Sequence, residues 1–193
     1  MKAHKFNAFG VATQVMLITT LLITASCKSG GDSGGRVSSN VEPPDLDIHT
    51  AVVTGNEEAL RQHIQAGSNL NERDPFGGSS PLISAGVFGQ TEMARILLDA
   101  GVDIDFQNNE GSTALHTAAF FCRPEIVKML LESGADKTIR NKYNATAYEM
   151  VAGPFADVKN AYDMMGQMLG PMGLKLDYAY IEKTRPEIAE MLK

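Results

Sequence analysis

A segment that recurs every 33 or 34 residues constrains this chain more than any other feature. The segment Pro81–Ala85 (PLISA) has a close counterpart in Ala114–Ala118 (ALHTA) and a weaker one in Ala147–Val151 (AYEMV). A second apolar block follows the first two copies, at Glu92–Leu98 and Glu125–Leu131. Because a unit this short cannot bury its apolar face alone, the units are expected to stack into a solenoid with a continuous core.

The period and these residues resemble the ankyrin repeat. The resemblance implies an all-α fold, an ankyrin repeat solenoid of helix–turn–helix units that are joined by β-hairpin-like turns. The function that it implies is protein binding without catalysis, since the usual product of a stacked solenoid is an extended binding surface.

Four repeats are predicted within an ankyrin repeat domain over residues 45–193. The first lacks its opening turn and is expected to be the N-terminal cap. Ser80 and Thr113 are suited to cap the first helix of the second and third repeats, because their hydroxyls accept from free N–H groups. The units are placed at about 45–73, 74–107, 108–140 and 141–193.

The last repeat contains an insertion. The triplet Pro124–Ile126 (PEI) recurs only at Pro186–Ile188, which is 62 residues later instead of 33. The extra 29 residues are placed at about 153–183. Phe155, Val158 and Tyr162 begin one face of an amphipathic helix there. Two interpretations stay open: a C-terminal cap over the last repeat, or an adaptable, methionine-rich binding surface.

The first 26 residues have the pattern of a secretory signal peptide. Lys2 and Lys5 precede a stretch from Ala8 to Ser26 that carries no charged side chain. The alternative is an uncleaved membrane anchor, because the stretch is nearly long enough to span a bilayer.

The segment Leu22–Cys27 (LITASC) is similar to a bacterial lipobox, which implies that Cys27 is acylated. Thr24 stands where that motif prefers leucine. Residues 27–44 are rich in glycine and serine and are predicted to be a flexible tether. The resemblance implies a lipid-anchored protein in the envelope of a Gram-negative bacterium, on the periplasmic side. Lys28, which is not an aspartate, favours the outer membrane over the inner one.

Charge limits the class of partner. The chain has 17 Lys and Arg against 23 Asp and Glu, a net charge of −6, and the signal peptide contains none of the acids. An acidic domain without a basic stripe is a poor nucleic-acid binder. Nucleic acid is therefore not an expected partner. We expect a monomer that binds a protein and contacts the membrane only through the lipid.

No pattern predicts a cofactor or a metal site. The histidines lack metal-ligand spacing, and the family resemblance gives His116 a structural role in hydrogen bonding to turn backbone. His63 is expected on the exposed side of its helix.

Cys122 replaces an inter-helix glycine and is interpreted as a turn thiol. The alternative is an enzyme in which Cys122 is the nucleophile, His116 the base and the insertion a lid.

The family resemblance implies that partners contact the turn tips and the ends of the first helices. Five aromatic side chains would form a row along this concave side, within a polar rim typical of binding hot spots. The alternative is that some of the phenylalanines pack inward or under the insertion, Phe121 first among them. The predicted contact residues are Phe76, Val87, Phe88, Asn109, Glu110, Phe120, Phe121, Lys142 and Tyr143.

The same resemblance permits a narrower role. Bacterial ankyrin lipoproteins include inhibitors that protect the periplasm from secreted toxic enzymes, so an immunity protein is the alternative to a general binding module.

Overall fold

The computed structural model describes residues 41–193, and the predicted signal peptide, Cys27 and most of the tether lie outside these residues. The described part contains nine α-helices, one 3-10 turn and no strand. None of these helices is long and apolar enough to cross a membrane. The helices are α1 (Ile48–Thr54), α2 (Glu57–Gln65), α3 (Pro81–Phe88), α4 (Thr91–Asp99), α5 (Ala114–Phe120), α6 (Pro124–Glu132), α7 (Ala147–Ala152), α8 (Phe155–Leu169) and α9 (Tyr178–Leu192), with the 3-10 turn at Gly170–Met172.

Pairs of antiparallel helices stack side by side. The first helix of each pair (α1, α3, α5 and α7) packs on the first helix of the next pair, and we call these the inner helices. Their partners α2, α4, α6 and α9 form an outer layer. The predicted all-α solenoid is confirmed, and the stacking explains why no single unit needs a core of its own.

Side-chain caps start the inner helices where the sequence predicts them. The hydroxyls of Ser80 and Thr113 accept hydrogen bonds from backbone N–H groups two or three residues into the first turn. Thr146 does the same in α7, where the Glu149 side chain completes a capping box. These caps satisfy donors that a helix start leaves unpaired.

One continuous core runs through the described domain. It extends from Ile48 in α1 to Leu192 in α9. Leu82 and Leu115 are each 1% exposed and hold the same place in successive repeats. Burial of each such side chain stabilises the fold by about 1.5–3 kcal/mol.

Two turns use a left-handed backbone without glycine. Asn144 has φ 57° at the tip position that Gly111 fills in the preceding repeat, and asparagine tolerates this conformation. Cys122 has φ 55° at the position that Gly89 fills between α3 and α4. Its side chain is fully buried, so packing of the thiol offsets a backbone that costs about 1–2 kcal/mol.

The fourth repeat differs from the prediction in where its outer helix begins. Asp177 caps α9 by accepting a hydrogen bond from the backbone N–H of Tyr180, and Pro186 lies inside the helix. In the third repeat, Pro124 is the first residue of α6. Residues 178–183, predicted as part of the insertion, therefore belong to α9, and the segment between α7 and α9 is 153–177.

The prediction that His63 lies on the exposed side of its helix is wrong. The residue is 7% exposed. Its Nε2 lies 2.8 Å from the Leu46 carbonyl oxygen, and its Nδ1 lies 3.0 Å from Ser68 Oγ. The residues that precede α1 fold back over α2 and cover this imidazole, which the spacing within α2 alone does not indicate.

Gly86 provides a test of the inner-helix stacking. A Cβ on this residue would lie 2.7 Å from Thr117 Oγ1 and 3.2 Å from the backbone nitrogen of Ala118, both in α5. We expect Gly86→Ala to lower the free energy of unfolding by about 1–3 kcal/mol, because α3 and α5 must separate. Urea denaturation followed by circular dichroism measures this change.

Gly166→Ala is the matched control. Gly166 also lies within a helix, but the nearest atom to its Cβ would be 3.4 Å away. We expect it to be neutral or to gain up to about 1 kcal/mol from helix propensity. A Gly86→Ala variant as stable as the parent would contradict the close packing.

Candidate partner-binding surface

The turn tips of the second, third and fourth repeats are built alike. The side-chain oxygens of Asp74, Asn108 and Asn141 each accept a hydrogen bond from the backbone N–H two residues later. These Asx turns fix the local backbone of each tip. They place Phe76, Glu110 and Tyr143 at the same point of successive tips.

Backbone hydrogen bonds also join one tip to the next. Asn109 N donates to the Gly77 carbonyl oxygen and Lys142 N donates to that of Glu110, both at 2.9 Å. The tips therefore form one continuous edge whose spacing is set by main-chain geometry.

Two large aromatic side chains stand on this edge in solvent. The exposed fraction is 87% for Phe76 and 74% for Tyr143. A hydrogen bond to the Glu110 carboxylate raises the pKa of the Tyr143 hydroxyl. We call the five exposed residues Phe76, Asn109, Glu110, Lys142 and Tyr143 the tip face.

The predicted row is less accessible at the ends of the inner helices. Val87 and Phe88 are half-buried at the end of α3. Phe121 is only 5% exposed, with its ring edge-on to that of Phe120 at 5.1 Å. The prediction that Phe121 contacts a partner is therefore wrong, and the alternative that this residue packs inward is confirmed.

Phe120 is half-buried beneath α8. The ring of Tyr162 stacks on it with centroids 4.3 Å apart and planes 12° from parallel, while Phe155 lies against the other side of Tyr162 at 5.7 Å. The segment between α7 and α9 thus covers the third-repeat end of the aromatic row.

A ladder of side-chain donors links each repeat to the preceding inner helix. Gln90 Nε2 donates to the Val53 carbonyl oxygen at 2.7 Å, and Arg123 Nη2 donates to that of Val87 at 3.3 Å. We call these contacts the donor ladder. They satisfy carbonyl groups in the last turn of α1 and α3, which have no partner within the helix.

The third rung of the donor ladder contains one extra residue. The Tyr162 hydroxyl donates to the Phe120 carbonyl oxygen, and Arg185 Nη1 donates to the Tyr162 hydroxyl oxygen at 3.1 Å. Arg185 precedes Pro186 as Arg123 precedes Pro124, so the sequence contains a signal for this rung. The triplet Pro-Glu-Ile alone does not reveal it, because the arginine lies just before the triplet.

Arg185 is a buried cation whose two Nη atoms are hydrogen-bonded, while its Nε has no hydrogen-bond partner. It is 2% exposed, and its Nη2 donates to the carbonyl oxygens of Met150 and Gly153, both at 3.1 Å. These groups lie at the end of α7, where the helix dipole favours positive charge. Arg185 therefore fixes α9 to α7 and, through Tyr162, to α8.

The environments of Cys122 and His116 do not suit the catalytic alternative. Burial raises the pKa of the Cys122 thiol to about 11, so the reactive thiolate is scarce near neutral pH. His116 Nδ1 lies 2.9 Å from Thr113 Oγ1 and its Nε2 lies 3.1 Å from the Ala145 carbonyl oxygen. Burial lowers the His116 pKa. Both ring nitrogens serve the structural role that the family resemblance implies.

Residues 41–193 contain no cluster of three or more His, Cys, Asp or Glu side chains that could hold a metal ion.

Comparisons with known proteins agree with this architecture. A family model described as ankyrin repeats, in three copies, matches residues 48–141. Residues 48–141 are therefore ankyrin repeats. The matched part ends before α7, so the family model does not include α8 or α9.

Two curated human ankyrin relatives match short parts of the chain. The DNA-binding protein RFXANK of Homo sapiens is 38% identical over 58 residues, which is 30% of this chain and 22% of the relative. Protein phosphatase 1 regulatory subunit 27 of Homo sapiens is 34% identical over 64 residues, covering 33% of this chain and 41% of the relative. The chain thus spans less than half the length of either relative.

A solved ankyrin structure is also similar. The ankyrin repeat domain of Bcl-3, a member of the IkappaB protein family, matches with a TM-score of 0.52 and 32% identity. The match covers 53% of this chain and 45% of the Bcl-3 chain.

The pKa of Cys122 makes stability depend on pH. The folded-state pKa is about 11 against an ordinary value of 9.0, so the contribution of the neutral thiol is fully present below pH 9. As the pH rises from 9 through 11 this contribution is lost, and the free energy of unfolding falls by up to about 1.4 kcal/mol per pH unit. We expect the free energy of unfolding of the parent to fall more steeply between pH 9 and 10.5 than that of Cys122→Ala, as urea denaturation would measure. Parallel pH profiles would contradict the burial of the thiol, since both proteins share every ionisable group except Cys122.

Removal of the Arg185 guanidinium should destabilise the fourth repeat. Arg185→Met leaves the buried carbonyls of Met150 and Gly153 without a donor, and we expect a loss of about 2–4 kcal/mol in unfolding free energy. The exposed pair of Arg95 and Glu92, at 3.5 Å, supplies the control: Arg95→Met should change stability by less than about 0.5 kcal/mol. Equal effects in thermal or urea denaturation would show that Arg185 does not fix α9.

Proposed function

We propose that this chain is a non-catalytic protein-binding module whose partner contacts the tip face. The observation that carries the proposal is the pair of exposed aromatic rings on the edge formed by the turn tips. Phe76 is 87% exposed and Tyr143 is 74% exposed. Large aromatic side chains rarely stand free in solvent on a monomer, and aromatic residues dominate binding hot spots.

The geometry of the edge supports tight contact. Asx turns and the bonds between tips fix the backbone that carries both rings before a partner arrives, so less backbone entropy is lost on binding. Glu110, Asn109 and Lys142 lie around them and supply hydrogen-bonding groups of both charges. An aromatic centre within such a polar rim can exclude water and still select a partner by its polar groups.

The location of the module is part of the proposal. We propose that a signal peptide directs export, that Cys27 carries the lipid and that residues 27–44 tether the domain on the periplasmic side of the outer membrane. The uncharged stretch from Ala8 to Ser26, the lipobox-like LITASC and the Gly/Ser-rich tether support this placement.

An inhibitor of a toxic enzyme is a narrower form of the same proposal. It would use the same surface, and the identity of the captured protein distinguishes it from a general binding module.

A double variant tests the tip face. Phe76→Ala with Tyr143→Ala should weaken partner binding at least about tenfold, because both proposed anchors lose their rings. The full chain would be used to capture its partner from the envelope of cells that express it, and affinity would then be measured with the purified partner. Stability should change little, since neither ring is buried.

Tyr180→Ala is the matched control, because Tyr180 is an exposed aromatic residue in α9 and not in a tip. It should leave the affinity unchanged. If the control weakens binding while the double variant does not, the partner contacts another face and the proposal is wrong.

A further inference from the structure

One side chain of α8 is fully buried, and the rest of the helix has shallower contacts. Tyr162 is the only buried residue among the fifteen of α8, while Phe155 and Val158 are half-buried against the core. Tyr178 of α9 adds contacts at the surface: its hydroxyl lies 2.8 Å from Asp163 Oδ1, its ring centroid 6.1 Å from that of Phe155, and Lys159 Nζ lies 5.0 Å from its ring. Met164 and Met168 are 56% and 62% exposed.

The ends of α8 leave room for movement. Gly153 lies in the link from α7 and Gly173 lies in the link to α9. A Cβ at either residue would meet no atom within 4 Å. The space beside both glycines is open, and the Gly153 carbonyl oxygen stays bonded to Arg185, so a movement of α8 would begin after Gly153.

The donor ladder does not need Tyr162. In the preceding rung, Arg123 bonds directly to the carbonyl of the residue one repeat before Phe120. Arg185 holds the place of Arg123 in the fourth repeat, and its Nη1 already points at Phe120 through the Tyr162 hydroxyl. If Tyr162 withdrew, Arg185 could donate directly to the Phe120 carbonyl oxygen, so neither arrangement leaves this carbonyl without a donor.

Several of the bonds that hold α9 do not involve α8. Arg185 Nη2 binds the carbonyl oxygens of Met150 and Gly153, and neither residue belongs to α8. Cys122 Sγ contacts the Ile181 carbonyl oxygen at 3.7 Å, which ties α9 to the turn before α6.

We propose that α8 is a displaceable cover over the third-repeat end of the concave surface. In the closed state the Tyr162 ring stacks on the ring of Phe120. In the open state α8 swings away, Arg185 bonds to the Phe120 carbonyl directly, and an aromatic side chain of the protein partner stacks on Phe120 in place of Tyr162. The partner's role rests on the proposed function, whereas the opening is a property of the chain alone.

Native-state hydrogen exchange with peptide-level mass spectrometry tests the opening on the full chain. We expect the amides of residues 155–169 to exchange at least about tenfold faster than those of α5 and α9, through an opening that leaves both helices folded. Equal protection of α8, α5 and α9 would overturn the proposal, because α8 would then be an integral part of the last repeat.

Tyr162→Ala separates a displaceable cover from a structural brace. The variant should raise exchange in α8 at least about tenfold, while exchange in α9 should stay within about threefold of the parent. Exchange in α9 reports whether this helix stays docked when the Tyr162 ring is removed. Met164→Ala, on the exposed side of α8, is the control and should change neither rate. A parallel rise in the exchange of α9 in Tyr162→Ala would overturn the proposal.

The partner's role is tested with the same variant. Tyr162→Ala should bind the captured partner more tightly than the parent, because the closed state no longer competes. Unchanged or weaker binding would contradict competition at Phe120. A failure of the proposed tip face would appear instead in the Phe76 and Tyr143 double variant, so the two failures are distinguishable.

Discussion

The donor ladder is the contact on which the arrangement of the last repeat depends. Each rung brings a side-chain donor from one repeat to a carbonyl in the last turn of the preceding inner helix. The apolar core supplies most of the stability, but apolar contacts are not directional. The ladder is directional, and each rung joins one repeat to the inner helix of the preceding repeat. In the fourth repeat the donor is the buried Arg185, which also binds the end of α7.

The same rung divides the concave surface into two parts. The tip face is open, and its spacing is fixed by main-chain bonds between successive tips. The third-repeat end is covered, because the rung admits Tyr162 between Arg185 and the Phe120 carbonyl. Residues 153–177 thus interrupt the regular array and cover part of the surface at the ends of the inner helices.

The sequence was sufficient for the repeat architecture because stacked helical units have a fixed length and recurring caps. Ser80 and Thr113 could each be assigned as caps from local chemistry alone. The start of α9 could not, because a proline that begins one helix can also lie within another, and the cap at Asp177 decides between them. The burial of Phe121 and the cover on Phe120 depend on contacts with residues far away in the chain, such as Tyr162. A periodic pattern gives the face of a helix and does not indicate what an insertion will cover.

The central claim is that a protein partner contacts the tip face of this ankyrin domain. Oxidative footprinting of the full chain, free and in complex with its captured partner, tests that claim most directly. We predict that Phe76 and Tyr143 lose reactivity in the complex while Tyr180 and Met129, in the outer layer, keep theirs. Protection of Tyr180 and Met129 with unchanged reactivity at Phe76 and Tyr143 would contradict the account.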